Sequence, residues 1–524
     1  MPIRYRHINS LQEAKARNFL LVDDKQVLSQ SVALLTTDEA HRALLESVIA
    51  QLIPQQDKIS SSETFLPADQ KGEKPRRVAL CALPTACSRH NCPARPHAVA
   101  DAVRSHNGKG DVAVVLCLAD PSHALAAGCA VARAFPMYTV KRASPSEREV
   151  DVFIRLPDAD DPVLRDLGLL SEGIRLAARL VDTPCNILHT TAMIEEARAV
   201  AGGLPDVQVQ VMQGEELREQ GLGGLHGVGK AAVEPPALVV LSYVPGGAGT
   251  GTGTGAAPSV VWCGKGIVYD TGGLSIKTKT GMPGMKRDMG GAAAVLGAFA
   301  AAVQARAQEW AAACAGSSPE SRPPPPPPLH AVLCLAENSV AANATRPDDV
   351  HTLYSGLTVE INNTDAEGRL VLGDGVAFAT AKLNPRVVVD VATLTGAQGI
   401  ATGKRHAALY CNEEKLEAAA VAVGRRTGDL AHPMPYAPEF FRGEYRSTVA
   451  DMKNSPGDRS NAQVSCAGQF IGNHMKAFVE GQGRWLHVDM AAPVHQGDRA
   501  TGFGVALLYE LLRELEREER SDTT

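Results

Sequence analysis

Seven polar residues fall in two glycine-punctuated segments of the chain. GKGIVYDTGGLSIKTKTGMPGMKRDMGG, residues 264–291, carries Lys265, Asp270, Lys277 and Asp288. NNTDAEGRL, residues 362–370, carries Asp365, Glu367 and Arg369. On an extended chain Asp365, Glu367 and Arg369, at i, i+2 and i+4, point to one face. Two carboxylates side by side in a dry site repel each other unless a cation joins them. Asp270 and Asp288 add two more acids. Converging carboxylates with few His or Cys favour hard divalent ions, and four of them can hold two ions about 3.5–4 Å apart. Such a pair activates water for hydrolysis. Taken singly, an Asp in a Gly-rich loop usually makes turn hydrogen bonds, and spacing alone does not bring the two segments together.

Other motifs are weaker. Ser275 and Lys277 form a conceivable Ser–Lys pair, but nothing nearby completes that machinery. Neither H-E-x-x-H nor G-x-S-x-G occurs. Cys81, Cys87, His90, Cys92 and His97 lie close together without a zinc-knuckle spacing. GVGKAA at 227–232 has no clear strand before it and reads as a structural turn. The Gly-Thr repeat within 246–259 lacks a following Gly-Lys-Ser/Thr and is no P-loop.

The elements that must position these residues alternate between strand-like and helix-like. In the C-terminal part, strands are expected at 238–243, 259–263, 330–335, 357–361, 386–392 and 485–489. Helices are expected over 192–201, 290–306, 413–424 and 504–518. Both polar clusters follow a strand, at the edge where open α/β sheets bind ligands. In the N-terminal part, Thr36-x-x-Glu39 resembles a capping box before an apolar face of Leu44, Leu45, Val48, Ile49, Leu52 and Ile53. Val78–Leu83 and Val112–Leu118 read as buried strands, and the polar segment 55–77 as a loop. The expected architecture is α/β: two α/β domains, the C-terminal one a mixed, mostly parallel sheet flanked by helices. Their bounds are 1–165, a linker helix at 166–184, and 185–524. The Gly-Thr stretch and six consecutive prolines near 323–328 read as loop insertions.

Composition narrows the function. The 524 residues are 44% hydrophobic and 21% charged, enough for more than one core. With 52 basic against 58 acidic residues the net charge is −6, and aromatics are 4%, which argues against nucleic-acid binding. No membrane span is expected, and the first residues do not read as a signal peptide. An odd count of 11 scattered Cys suits a reducing compartment, so the expected address is cytoplasmic.

NTDAEGRL, with GKG and the step from Lys265 to Asp288, resembles the leucyl aminopeptidase family of two-metal cytosolic exopeptidases. VDTPCN at 181–186, DVATLTGA at 390–397 and HVDMAAP extend the likeness over roughly residues 165–515. GIVYDTGGLSIK, MPGMKRD, CLAENS, NATRPDD and ADMKNS place it closest to the probable aminopeptidase-like branch. The resemblance implies one metal held by Asp270, Asp365 (side chain and backbone carbonyl) and Glu367. It implies a second held by Lys265, Asp270, Asp288 and Glu367. Zinc is the usual ion, with manganese, magnesium or cobalt at the more exchangeable site. Lys277 would stabilise the oxyanion, and Arg369, with the backbone around Leu394, would hold a bicarbonate ion. Met285, Asn363, Thr393 and Gly396 would line a pocket for a leucine-like side chain. The implied function is release of N-terminal residues from peptides with a free N-terminus, by a homohexamer built as a dimer of trimers.

Overall fold

The structure, a computed structural model, describes residues 1–67, 74–142, 148–158, 162–247, 258–318 and 321–522. The chain forms two compact units. The first comprises Met1–Arg175 and Val423–Leu430. Its sheet has the spatial order Ile3–His7, Val150–Ile154, Val112–Leu116, Asn18–Asp23, Arg76–Ala82, Ser60–Leu66. All neighbours are parallel except the last pair. The strand VAVVL at Val112–Leu116 is buried at every residue, as a strand covered on both faces must be. Ser60–Leu66 lies inside the segment that polarity assigned to a loop. Every second residue of SSSETF is exposed, so too few apolar positions mark it as an edge strand. The helix Glu39–Gln51 is capped by Asp38, not Thr36. Asp38 Oδ1 accepts the His41 N–H at 2.9 Å, while Thr36 Oγ1 accepts from Asp38 N–H at 3.2 Å.

The second unit, Leu176–Ala422 with Ala431–Thr524, holds an eight-stranded sheet. Its order is Ala431–Pro433, Ala407–Cys411, Arg484–Asp489, Pro385–Ala392, Ser259–Asp270, Leu329–Asn338, Ala237–Tyr243, Val207–Gln213. The four central strands, from Arg484–Asp489 to Leu329–Asn338, run parallel. Antiparallel pairs flank them on either side. Helices cover both faces. Gly290–Cys314 packs on one face with Val505–Asp522 against it. Gly368–Lys382 packs on the other with Gln463–Asn473 and Gly223–Gly229. The motif GVGKAA is thus the end of a short helix. Gly290–Cys314 is apolar nearly all round and is buried over most of its length up to Arg306, with its last turns partly exposed. By length and composition this segment could cross a membrane, yet 89% of its apolar window is buried inside the fold.

Three expectations around the polar clusters change. The strand expected at 259–263 continues to Asp270, so Lys265 and Asp270 stand on the strand itself. The strand expected at 357–361 is Thr358–Glu360, and it joins a separate three-stranded sheet with Val350–Thr352 and Met452–Lys453. Asp365, Glu367 and Arg369 do not lie on extended chain. Asp365 sits in a turn, Glu367 precedes the first helical residue, and Arg369 is inside the helix. Residues 248–257 of the Gly-Thr repeat lie outside the described residues. The prolines lead straight into the Leu329–Asn338 strand, and Trp310 Nε1 donates to the Pro323 carbonyl at 3.3 Å.

Gly264 lets the Gly290–Cys314 helix approach the sheet. A Cβ there would lie 2.6 Å from Ala292 Cα and 2.8 Å from its N, backbone atoms that cannot swing aside. Gly264→Ala is expected to destabilise the protein by at least ~1–3 kcal/mol in urea unfolding. Gly168→Ala, inside the helix Pro162–Asp182 with nothing within 4 Å of the added Cβ, is expected to stabilise by ~0.5–1 kcal/mol. Burial also pushes His330 and His351 down to about 4, and His474 to about 3. These rings stay neutral in the fold while the unfolded chain takes up protons below about 6.5. Stability is therefore expected to fall as the pH drops from 6.5 towards 4, because the unfolded state binds more protons there. Urea midpoints measured across that range should fall less steeply in His474→Gln.

Candidate metal centre

Lys265 stands mid-strand on the face covered by the Gly368–Lys382 helix. A Cβ at Gly368 would lie 2.5 Å from Lys265 Cε and 2.6 Å from Nζ, so any larger residue there would displace the end of this side chain. Lys265 Nζ is 2.8 Å from Asp288 Oδ1, 2.9 Å from Glu367 Oε1 and 2.9 Å from the Thr393 carbonyl. Asp270 ends the same strand. Its Oδ1 accepts from Gly272 N–H and from Asn338 Nδ2, each at 2.8 Å, and its Oδ2 lies 2.7 Å from Lys277 Nζ. Lys277 Nζ is also 2.5 Å from Asp365 Oδ1. Asp288 follows the tight turn Met285–Arg287, and its Oδ1 accepts from Thr393 Oγ1 at 2.9 Å. The two polar segments therefore meet in one place. Asp270, Asp365 and Glu367 each offer a carboxylate oxygen, all within 4.8 Å of one another. Among the described residues no group of Cys81, Cys87, His90, Cys92 and His97 forms such a cluster.

Four carboxylates here face two ammonium groups. Burial raises Asp270, Asp288 and Asp365 above the usual carboxylate range, and the Glu367 charge pushes Asp270 and Asp288 further. Burial pulls Lys265 and Lys277 down. The surrounding carboxylates outweigh it and hold both ammonium groups above the ordinary lysine range. Even so, Asp288 Oδ2 and Glu367 Oε2 are buried with no hydrogen-bond partner. An orphaned buried carboxylate oxygen is costly. A hard divalent cation would relieve both the orphaned oxygens and the mutual repulsion, so the residues present fit such an ion.

The remaining expected residues are distributed as follows. Arg369 is 8% exposed and donates from NH1 to the Tyr445 hydroxyl at 3.1 Å. In the backbone around Leu394, expected to help hold an anion, the Leu394 N–H donates to Asp489 Oδ1 at 3.1 Å. Thr393 bonds both Asp288 and Lys265. Asn363 Oδ1 accepts the Asp365 N–H at 3.0 Å. Met285 is half-buried at the start of the turn that presents Asp288, and Gly396 is exposed with open space around it. Ser275 is not bonded to Lys277. It exchanges hydrogen bonds with Thr364, at 3.1 and 2.7 Å, and so staples the two segments.

Four residues that spacing did not single out hold the centre in shape. Between Ala336 and Asn338 the register of the Leu329–Asn338 strand slips against Ser259–Asp270. That bulge aims Asn338 at Asp270, and its Nδ2 also donates to the Thr364 carbonyl at 3.0 Å. Thr364 Oγ1 donates to the Gly272 carbonyl at 2.6 Å. Asn454, fully buried, accepts from Asn362 and Asn363 N–H and donates to the carbonyls of Asn363 and Ala366. Asp489, also fully buried, accepts from Leu394 N–H, Thr395 N–H, Thr395 Oγ1 and Ala491 N–H, which fixes the loop carrying Thr393. Asn338, Asp489 and Asn454 fall in CLAENS, HVDMAAP and ADMKNS, segments that carry the family resemblance, but that resemblance gave them no role. Nothing in spacing marked Asn454.

The chain is similar to known proteins in sequence and in structure. The catalytic domain of the cytosol aminopeptidase family matches residues 175–509. The M17 aminopeptidase N-terminal domain 2 matches residues 30–144. The human probable aminopeptidase NPEPL1 is 50% identical over 443 residues, covering 83% of this chain and 79% of that protein. The solved leucine aminopeptidase of Caenorhabditis elegans (LAP1) superposes with a TM-score of 0.81 at 37% identity, covering 98% of both chains. The bottromycin maturation enzyme BotP, solved in complex with Mn, superposes with a TM-score of 0.74 at 26% identity over 95% of this chain and 99% of that one. By the match to its catalytic domain and the identity shared along most of its length, the chain belongs to the cytosol aminopeptidase family of hydrolases.

Proposed function

We propose that the chain is a two-metal aminopeptidase that releases apolar, leucine-like residues from peptides with a free N-terminus. The observation that carries this reading is the pair of buried, donorless oxygens, Asp288 Oδ2 and Glu367 Oε2, inside a cluster of four acids. One ion would be held by Asp270, Asp365 (with its backbone carbonyl) and Glu367, the other by Lys265, Asp270, Asp288 and Glu367. Zinc fits this set, as do manganese, magnesium or cobalt at the more exchangeable position, and a relative is solved with Mn. Bound there, the ions would acidify a water and polarise the scissile carbonyl.

The chain's own residues do the rest. Lys265 must become a neutral amine to act as a ligand, and the Thr393 carbonyl and Asp288 are already placed to hold its N–H bonds. Lys277, an ammonium beside Asp270 and Asp365, would stabilise the oxyanion once cations take over those carboxylates. The family reading implies that a bicarbonate ion carries the proton. Arg369, which spends only NH1 on a described residue, would hold bicarbonate for that task. Met285, Asn363, Thr393 and Gly396 would line the pocket for the released side chain. The family reading further implies a homohexamer, a dimer of trimers, acting in the cytoplasm.

Hydrolysis assays test this. A chelator is expected to abolish hydrolysis of leucine amide, and zinc, manganese or cobalt to restore it. N-acetylated leucine amide should not be cleaved. Glu367→Gln should lose more than about a hundredfold in kcat/KM, beyond the usual effect of a residue that only supports a ligand. Lys277→Ala should lose roughly 10²–10³ in kcat with little change in KM, the size expected for one oxyanion donor. Chelator-resistant activity that disappears in Ser275→Ala would instead identify a serine hydrolase.

A further inference from the structure

Arg369 has five N–H donors, and one described side chain accepts from it. That acceptor is the Tyr445 hydroxyl, 3.1 Å from NH1. Arg369 Nε is buried without a partner. A guanidinium at the end of a flexible stem keeps one orientation only if what it bonds to is itself fixed. Tyr445 is fixed in two ways. It is 1% exposed, and its ring meets Phe470 edge-on, with centroids 5.4 Å apart and planes at 61°. Phe470 belongs to the Gln463–Asn473 helix, which packs against the Gly368–Lys382 helix that carries Arg369. The turn Arg442–Tyr445 is clamped through Glu444. Its carbonyl accepts Gly457 N–H at 2.9 Å, its Oε2 accepts Asp458 N–H at 3.0 Å and its Oε1 accepts Asn461 Nδ2 at 2.9 Å. Burial pushes the Tyr445 hydroxyl above its usual range against the opposing pull of Arg369, so it stays neutral.

We infer that Tyr445 is a positioning residue for the reaction: its hydroxyl orients the Arg369 guanidinium so that the donors not spent on protein face the bound anion. This rests on the reading of Arg369 as the bicarbonate holder. Tyr445 touches neither the carboxylate cluster nor, on this inference, the substrate. Its effect should therefore appear in the response to the anion and not in substrate binding.

The test is leucine amide hydrolysis by the metal-loaded enzyme, titrated with bicarbonate, alongside melting midpoints. Tyr445→Phe keeps the ring and removes the hydroxyl. The bicarbonate concentration at half-maximal rate is expected to rise about ten- to hundredfold, the size of one hydrogen bond to a charged group. KM for leucine amide should stay the same, and the rate at saturating bicarbonate should recover. Phe470→Leu, which loosens the ring without removing the hydroxyl, should shift the bicarbonate response in the same direction by less. A lowered melting midpoint with an unchanged bicarbonate response in both variants would make Tyr445 a packing residue only and overturn the inference. Arg369→Lys separates the two claims. If it loses the bicarbonate response while Tyr445→Phe keeps it, only the role of Tyr445 fails. If Arg369→Lys itself responds as the wild type does, the reading of Arg369 fails, and the inference with it.

Discussion

Repulsion between buried like charges is the constraint around which this fold is organised. Asp270, Asp288, Asp365 and Glu367 come from a strand end, a tight turn, a loop and a helix start, and all are drawn to one place where Asp270, Asp288 and Glu367 are buried and Asp365 is half-buried. Lys265 and Lys277 neutralise part of that charge, each bridging two acids. The remainder must be tolerated until a cation arrives. A polypeptide left to itself would relax by swinging the side chains apart. The surrounding hydrogen bonds prevent this. Asn338 holds Asp270 to the Thr364 carbonyl, and Asn454 grips the backbone of residues 362–366 from below. Asp489 pins the loop whose Thr393 reaches Lys265 and Asp288. Asp489 adds a further buried carboxylate, satisfied entirely by donors from its own neighbourhood, so that its charge serves shape and not metal.

Small residues make the geometry sterically accessible. Lys265 lies between Gly264, where one helix presses on the sheet, and Gly266, while Gly368 admits its side chain from the opposite face. A long cationic side chain is thus buried beneath the start of the Gly368–Lys382 helix. The same economy shows in the Gly290–Cys314 helix, whose alanines bring it near the sheet along most of its length.

Much of this was legible in the residues, but unevenly. The alternation of apolar runs located most of the large sheet, because buried parallel strands are continuous and hydrophobic. The edge strand Ser60–Leu66 escaped because half its side chains face water. The two acidic segments drew attention through their density of charge, and the resemblance to a family placed them together. The inference that Asp365, Glu367 and Arg369 share one face of an extended segment did not hold, because a helix starts at Gly368 and rotates Arg369 away from a two-residue repeat. The supporting shell was the least visible. Asn454 is 92 residues from Asn362, whose N–H it accepts, and no local pattern announces a partner at that distance.

The register slip opposite Asn338, where Ile267–Asp270 spends one residue more than Ala336–Asn338, bears on how this chain tolerates change in length. Upstream of Leu329, the connection from the long alanine helix carries six consecutive prolines before the strand begins. Downstream of that point the residue count is locked, because a single insertion or deletion reverses the parity of every later side chain. Asn338 would then turn its amide to the wrong side of the sheet and abandon Asp270. The same stretch of polypeptide is therefore permissive in its first half and frame-dependent in its second, with Leu329 as the dividing line.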